Sequence, residues 1–190
     1  MIERPRILVV AATERELASP DGWLALECGV GPVEAGATTA MAIARHRPTI
    51  VLHVGIAGAC RRRAFAPATL VIGTAARYCD LGVKTYFAPS TVLAAPALLA
   101  AAARLLPAAP QLVIGTSARI GGATDCDVEA MEGFAVLRAA ELAGVPAIEI
   151  RAISNDIDEL DRGRWHFDAA FAAITEATPI LVREFIRCAS

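Results

Sequence analysis

The sequence predicts an α/β fold: one three-layer sandwich domain with helices on both faces of a mostly parallel, mixed sheet. Short aliphatic and β-branched runs alternate with longer alanine-rich helical stretches, the pattern of helices packed on a parallel sheet. These runs are hydrophobic throughout, which is typical of strands covered on both faces. The length of 190 residues suits one compact domain, so we assign residues 1–190 to a single unit without a linker.

Six segments have the length and composition of buried strands. They are residues 7–12, 24–28, 50–54, 70–74, 112–116 and 147–152. The last run ends abruptly in the polar sequence Ser-Asn-Asp at 154–156. Because ligands bind beyond the carboxyl ends of strands in parallel α/β sheets, the residues that follow each strand are the first candidates for a site.

Four stretches have helical spacing, namely residues 33–45, 95–106, 128–143 and 167 to about 187. In the third, the apolar residues that share one face are Val128, Met131, Ala135, Ala139 and Leu142. We expect Asp127 to cap the start of this helix and Gly144 to end it. Pro179 should kink or restart the last helix, because proline lacks the amide proton of a helix interior.

The bulk composition excludes several classes of partner. A formal net charge of −2 suggests neither nucleic acid nor an anionic membrane, so we expect a small, neutral or acidic ligand. Each apolar run is interrupted well before the roughly 18 residues of a membrane span. The first run is short and is followed by Thr-Glu-Arg-Glu at 13–16, which favours a buried strand over a signal peptide.

The cysteines and histidines indicate neither disulfides nor a metal centre. Five cysteines are scattered singly without Cys-x-x-Cys spacing, which fits reduced thiols in the cytoplasm. His46, His53 and His166 lack ligand spacing, so no metal is expected. His53 lies on a core strand and is expected to be a hydrogen-bonded interior histidine.

No cofactor motif is intact. The sequence Gly-Val-Gly-Pro-Val-Glu at 29–34 is superficially similar to a dinucleotide fingerprint, but Glu34 replaces the third glycine and Pro32 removes an amide proton. There is also no Gly-Lys-Ser/Thr phosphate loop and no Gly-x-Ser-x-Gly nucleophile elbow. We therefore expect no cofactor and no acyl-transfer chemistry.

Carboxylates, an amide and small residues follow the predicted strands. Glu132 stands at an expected helix start, where it can grip two neighbouring hydroxyls or act as a solvated helix-start acid. Asn155 is either a ligand contact or a turn former. Small residues at 55–59 let a ligand approach the backbone or form a tight turn. With Glu14 and Glu16 after the first strand, all can converge on one edge of the sheet.

Five segments, taken in order, resemble the motifs of the nucleoside phosphorylase and nucleosidase superfamily. They are residues 11–17, 29–35, 54–59, 130–133 and 151–155. The resemblance spans nearly the whole chain and implies that Glu16 activates water, that Met131 packs under the ribose and that Glu132 binds the ribose hydroxyls. Asn155 stands where members acting on 6-oxopurines often carry asparagine, which implies hypoxanthine as the leaving base. Glu14 is then a surface or structural neighbour.

The resemblance also implies catalytic roles for Glu16 and Asn155 and a nucleoside-binding set elsewhere. That set comprises Gly55, Ile56, Ala57, Gly58, Thr116, Ser117, Met131 and Glu132. Relatives often complete their site from a neighbouring subunit, so a homodimer or a higher homo-oligomer is expected. The role of Arg119, which either stacks on the base or is a surface charge, is left open.

Details at residues 129–133, 153–155 and 161–165 resemble the members that hydrolyse futalosine in the route to menaquinone. The expected reaction is futalosine plus water giving hypoxanthine and dehypoxanthine futalosine. One alternative is a purine nucleoside phosphorylase, for which Arg61, Arg62 and Arg63 could supply phosphate donors if they do not form a solvated turn. Others are an aminodeoxyfutalosine- or methylthioadenosine-type nucleosidase and a non-catalytic nucleoside-binding module. The group on the ribose 5′ carbon is not determined by the sequence.

Overall fold

The computed structural model describes residues 6–83, 86–121 and 125–189. Its strands are β1 (Ile7–Ala11), β2 (Leu24–Glu27), β3 (Ile50–Ala59), β4 (Leu70–Tyr78), β5 (Thr91–Leu93), β6 (Gln111–Thr116), β7 (Val128–Ala130) and β8 (Ala147–Asp156). Its α-helices are α1 (Pro32–His46), α2 (Pro96–Leu105), α3 (Gly133–Leu142) and α4 (Phe167–Ala189). One-turn 3-10 helices lie at Glu14–Glu16, Arg61–Arg63 and Arg162–Arg164.

All of these strands belong to one eight-stranded mixed sheet. Its order is β2-β1-β3-β7-β6-β4-β5, and β8 pairs with both β3 and β4. The pairs β1–β2, β1–β3, β3–β8, β4–β6 and β6–β7 are parallel, whereas β3–β7, β4–β5 and β4–β8 are antiparallel. Because β8 bridges β3 and β4, the strands β3, β8, β4, β6 and β7 close into a ring, which the sequence did not predict.

The core has three parts. Alternate residues of a strand face opposite sides of the sheet, so neighbouring residues of β1 belong to different parts. Ile7 and Val9 pack on one face in the cluster that includes buried residues of α2 and α4. Leu8 and Val10 pack on the other face with buried residues of α1 and α3. A third cluster joins apolar side chains from the ring strands, including Ala57, Val71, Ile114, Val128 and Ile153. The predicted α/β fold with helices on both faces is therefore confirmed.

The prediction that residues 128–143 form one helix is wrong in its first part. Residues 128–130 form β7, which pairs with β3 and β6, and α3 begins only at Gly133. Pairing within the ring overrides the helical spacing of the apolar residues. Asp127 is not a helix cap, because its carboxylate instead accepts hydrogen bonds from Arg62 and Arg63. The residue at the N-cap position of α3 is Glu132.

Other boundaries differ from the predicted ones because strands of the ring extend beyond their most apolar residues. The small residues at 55–59 lie inside β3, and Asn155 lies inside β8 near its end. The helix α4 continues through Pro179, so of the two predicted effects, a kink or a restart, the restart is wrong. The Thr178 hydroxyl donates to the Ile174 carbonyl at 2.7 Å one turn before this proline. Among the described residues, no helix is long and apolar enough to cross a membrane.

Candidate active site

A cavity of about 560 Å³ opens where the ends of the central strands meet, a size that suits a small organic ligand. Seven of the predicted site residues line it: Glu16, Ile56, Ala57, Gly58, Met131, Glu132 and Asn155. Gly55, Thr116 and Ser117 do not line it, and Glu14 is exposed. The structure thus brings together the two predicted carboxylates and the predicted amide from distant parts of the chain.

Glu16 is held by donors on both of its carboxylate oxygens. It ends the one-turn helix after β1 and is 4% exposed. The backbone N–H and the hydroxyl of Thr13 both donate to Oε2 at 2.9 Å, and the backbone N–H of Ile56 donates to Oε1 at 3.0 Å. These three donors fix the orientation of the carboxylate in the cavity.

Glu132 is fixed from two sides at the junction of β7 and α3. Its Oε1 accepts from the backbone N–H of Gly31 at 3.0 Å, and its Oε2 lies 3.5 Å from Nη2 of Arg151. Burial raises the pKa of Glu132, although Arg151 and the Gly31 N–H oppose that rise. The glycine-rich segment before α1 therefore supports an acid in the cavity instead of binding a pyrophosphate.

Arg151 is a buried cation that the sequence interpretation missed. Its Nε donates to Oε1 of Glu149 at 2.8 Å, and its Nη1 lies 3.4 Å from the carbonyl of Ile56. Burial lowers the pKa of Arg151, but Glu149, Glu132 and Glu16 outweigh this effect and leave the pKa raised. The available signal was a pair of charges two residues apart in an otherwise apolar strand, a spacing that places both on one face.

His53 is the hydrogen-bonded interior histidine that was predicted. The ring is fully buried on β3, and its Nδ1 lies 3.0 Å from the carbonyl oxygen of Val10. Its Nε2 meets Nη2 of Arg151, which has only protons to offer. Nδ1 is therefore the protonated nitrogen and Nε2 the acceptor. Burial, followed by the charge of Arg151, lowers the pKa of His53 well below its ordinary value.

Two glycines provide space for this charged cluster. A Cβ on Gly55 would overlap Nη1 of Arg151 and would lie 2.7 Å from Oε1 of Glu16. A Cβ on Gly133 would overlap the carboxylate oxygens of Glu149. Gly55 therefore admits Arg151 and Glu16 and does not itself line the cavity, so its place in the nucleoside-binding set stays a prediction.

The amide of Asn155 is oriented by its neighbours along β8. Its Oδ1 accepts from the Ser154 hydroxyl at 2.7 Å, and its Nδ2 donates to the carbonyl of Asp156 at 2.7 Å. One amide proton and one oxygen lone pair remain for a ligand. A Cβ on Gly58 would lie 3.1 Å from Nδ2, so the missing side chain leaves room for the amide.

Thr116 and Ser117 support the frame of the site from outside the cavity lining. The Thr116 hydroxyl accepts from the backbone N–H of Phe134 at 2.7 Å, in the first turn of α3. The Ser117 hydroxyl lies 3.3 Å from a carboxylate oxygen of Asp80. Their predicted role as direct contacts therefore finds no support in the geometry. Arg119 is exposed and does not line the cavity.

Residues 23–187 match the phosphorylase superfamily. The chain belongs to the phosphorylase superfamily. It is 36% identical over 190 residues to the futalosine hydrolase of Streptomyces coelicolor, and the match covers 83% of this chain and 77% of that protein. Two solved structures have the same fold as this chain. One is a 5′-methylthioadenosine/S-adenosylhomocysteine nucleosidase, and the other is a futalosine hydrolase. The superfamily recognised from the five sequence motifs is thus confirmed.

The first of these structures, from Neisseria meningitidis, is the nucleosidase in complex with methylthio-immucillin-A. It has a TM-score of 0.82 and 19% identity over 93% of this chain and 98% of that chain. The second is a futalosine hydrolase mutant of Helicobacter pylori strain 26695. It has a TM-score of 0.82 and 17% identity over 95% of this chain and 99% of that chain. At these sequence identities, the two structural matches show that this superfamily member shares their fold and show nothing further.

The cavity is also lined by residues that the sequence interpretation did not assign to the site. We call them the arginine–aromatic wall: Arg15, Arg162, Trp165, Phe167 and Phe171. The ring centroids of Trp165 and Phe167 are 5.3 Å apart, and those of Phe167 and Phe171 are 5.9 Å apart. The signal was partly visible, since residues 161–165 contributed to the resemblance without being given a role.

The arginines of the second one-turn helix do not reach the cavity of this superfamily member. Arg61 pairs with Asp156 at 3.3 Å and with Asp158 at 3.4 Å, while Arg62 and Arg63 pair with Asp127. All three are exposed, and none lines the cavity. A phosphate-binding role for them is not supported, whereas the alternative of a solvated turn fits.

Proposed function

We propose that the protein hydrolyses the N-ribosidic bond of futalosine, giving hypoxanthine and dehypoxanthine futalosine. The observation that carries this proposal is the presence of two buried carboxylates, Glu16 and Glu132, and the Asn155 amide in one cavity. The choice of futalosine is supported by the 36% identity to the Streptomyces coelicolor enzyme. No cofactor takes part in the proposed reaction.

In this proposal Glu16 is the general base that takes a proton from the attacking water. Its three donors hold the carboxylate at one place, so water bound to it is already oriented when the glycosidic bond lengthens. Glu132 binds the ribose 2′ and 3′ hydroxyls while Met131 packs under the sugar. A carboxylate close to the ribose stabilises the positive charge that builds on the sugar in the transition state.

Asn155 recognises the departing base. A 6-oxopurine offers an N1–H and a carbonyl, and the amide of Asn155 retains both a proton and a lone pair for such a partner. An amide does not release a proton, so Asn155 stabilises the leaving base by hydrogen bonding, and water supplies the proton. Hypoxanthine is therefore the expected base.

The experiment offers four nucleosides to the purified protein: futalosine, aminodeoxyfutalosine, inosine and methylthioadenosine. Each is incubated with and without phosphate, and base release is followed by chromatography. We expect phosphate-independent release of hypoxanthine from futalosine. Strict phosphate dependence would identify a phosphorylase, and preferential adenine release would identify an adenine-type nucleosidase. No release from any compound would favour the binding module.

We also propose that the protein works in the cytoplasm as a homodimer or a higher homo-oligomer. Support for self-association comes from apolar side chains on α1 and α3, where Val33 is 79%, Met41 is 73% and Leu142 is 72% exposed. The two helices pack against each other, so a second copy could cover both. Light scattering of the purified protein tests this assembly, and a monomeric mass would contradict it.

A further inference from the structure

Glu129 also lines the cavity, and the proposed reaction gives it no role. It is the middle residue of β7 and is 7% exposed. Its neighbours Val128 and Ala130 belong to the third core cluster. Because alternate residues of a strand face opposite sides, Glu129 lies on the other side of β7, the same side as Met131, which lines the cavity too. The carboxylate therefore belongs to the ligand side of the ring and not to its core.

Strand register places Glu129 level with Asn155. Glu129 of β7 pairs with Gly58 of β3, and Gly58 pairs in turn with Asn155 of β8. On its other side, Glu129 pairs with Gly115 of β6. These four residues form one row across four neighbouring strands, in which two polar side chains alternate with two glycines. Residues directly opposite one another in a sheet share a face, so Glu129 and Asn155 both face the cavity.

Gly58 leaves an open space between the two polar side chains. Neighbouring strands lie about 4.8 Å apart, so the Cα atoms of Glu129 and Asn155 are separated by roughly 10 Å. A Cβ on Gly58 would lie 3.1 Å from Nδ2 of Asn155, so even an alanine would enter this space. A flat heterocycle can therefore approach the Gly58 backbone closely, with Glu129 at one edge and Asn155 at another.

The two side chains complement the two groups that distinguish a 6-oxopurine. Oδ1 of Asn155 already accepts from the Ser154 hydroxyl, whereas one proton on Nδ2 remains for the 6-carbonyl. N1–H is a donor, and a carboxylate such as that of Glu129 accepts from it more strongly than an amide oxygen does. A 6-aminopurine carries a lone pair at N1 instead, which an ionised carboxylate repels.

We propose that Glu129 is a specificity-determining residue that accepts from N1–H of a 6-oxopurine base while Asn155 donates to the 6-carbonyl. This inference rests on the proposed nucleosidase function and specifies how the leaving base is selected. Glu16 then serves the water, Glu132 the ribose and Glu129 the base, so each carboxylate has its own partner. A base without N1–H leaves the buried carboxylate of Glu129 mismatched, and polar sites reject such ligands strongly.

The test measures binding of the free bases hypoxanthine and adenine by calorimetry, which requires no turnover. We expect the native protein to prefer hypoxanthine. Glu129→Gln keeps the size of the side chain and should weaken hypoxanthine binding by about 10-fold or more, the loss expected for a hydrogen bond to a charged group. Adenine binding should be retained or improved, because the new amide can donate to N1. Glu159→Gln, near Asn155 but outside the cavity lining, is the matched control.

Equal binding of the two bases by the native protein would overturn the role of Glu129, as would unchanged hypoxanthine binding in Glu129→Gln. A parallel loss of both bases would indicate a purely structural role and would also overturn it. Glu129→Asp keeps an acceptor-only side chain and should keep the preference for hypoxanthine; loss of that preference would contradict recognition by charge.

The proposed reaction and the role of Glu129 fail in different ways. Release of hypoxanthine from futalosine, together with a base preference that Glu129→Gln leaves intact, would remove only the role of Glu129. A preference for hypoxanthine that depends on Glu129, without base release from any nucleoside, would remove only the hydrolysis.

Discussion

Nη2 of Arg151 donates to Nε2 of His53, and this contact fixes the tautomer of a fully buried ring. The opposite ring nitrogen then donates to the carbonyl of Val10 at 3.0 Å. A neutral histidine can accept from the arginine without adding a second positive charge. Arg151 consequently keeps its charge for Glu132, which lies 3.5 Å from the same Nη2, and for Glu149, which accepts from Nε.

This contact predicts a pH dependence of stability. The folded-state pKa of His53 lies well below 6.5, so under acidic conditions the unfolded chain binds a proton that the folded chain excludes. The contribution of the neutral His53 to the free energy of unfolding is therefore fully present above about pH 6.5. As the pH drops toward the folded-state pKa, this contribution falls by about 1.4 kcal/mol per pH unit. The difference in free energy of unfolding between wild type and His53→Gln, measured by urea unfolding, should shrink as the pH falls through that range. His166→Gln, which replaces an exposed histidine, is the control.

Replacing Glu16 with Gln should lower turnover by roughly 100-fold or more, because the amide cannot take a proton from water. Substrate binding should be largely retained, since the amide oxygen can still accept from Thr13 or Ile56. Steady-state kinetics with calorimetric binding checks both expectations. Glu14→Gln is the matched control on the same one-turn helix. Near-normal turnover of folded Glu16→Gln protein would remove Glu16 from the role of base.

Replacing Glu132 with Gln should lower both turnover and affinity. Its carboxylate would stabilise the sugar more strongly in the transition state than in the ground state, so we expect a loss of about 10-fold or more in kcat. Comparing kcat and KM separates the two effects. Glu141→Gln, on the exposed side of α3, is the control. A rise in KM with unchanged kcat would show that Glu132 contributes only uniform binding.

Asn155→Asp should change which base is preferred. A carboxylate offers only acceptors, so it suits the amino group of a 6-aminopurine and repels a 6-carbonyl. We expect the ratio of futalosine to aminodeoxyfutalosine hydrolysis to fall by about 100-fold or more, within the range that polar recognition can reach. Competition between the two substrates measures this ratio directly. An unchanged ratio would place base recognition elsewhere.

Gly55→Ala should damage the site because the new Cβ overlaps Nη1 of Arg151 and crowds Glu16. Overpacking of this kind costs about 1–3 kcal/mol of stability. We expect a lower melting temperature together with reduced turnover. Gly82→Ala is the control, because apart from its chain neighbours no atom of the described residues lies within 4 Å of the Cβ built there. Unchanged activity and stability in Gly55→Ala would mean that Arg151 and Glu16 can move apart without consequence.

The sequence predicts the elements whose signal is local. The apolar run at β1 and the alanine-rich pattern of α1 are sufficient to predict these elements without knowledge of their tertiary contacts. The strand β7 does not, because Val128 has helical spacing to Met131 and becomes a strand residue only through pairing with β3 and β6. Closure of the ring through β8 depends in the same way on partners far along the chain.

The candidate site shows a similar division. Glu16 and Asn155 follow predicted strands and Glu132 stands at an expected helix start, so their positions indicate the cavity before the structure does. Arg151 is different, because a charge within an apolar strand is acceptable only when its buried partners are known. No role was predicted for the arginine–aromatic wall, since its members come from α4, from two separate one-turn helices and from Trp165, which follows the helix Arg162–Arg164.

The strand order also determines how few backbone N–H and C=O groups stay unpaired at the edges of the sheet. Only β2 and β5 end the sheet path among the described strands, and they have 4 and 3 residues. Unpaired edges are templates on which other chains can add strands, and short edges give weak templates. Ring closure and two short edge strands therefore leave other chains little backbone with which to pair.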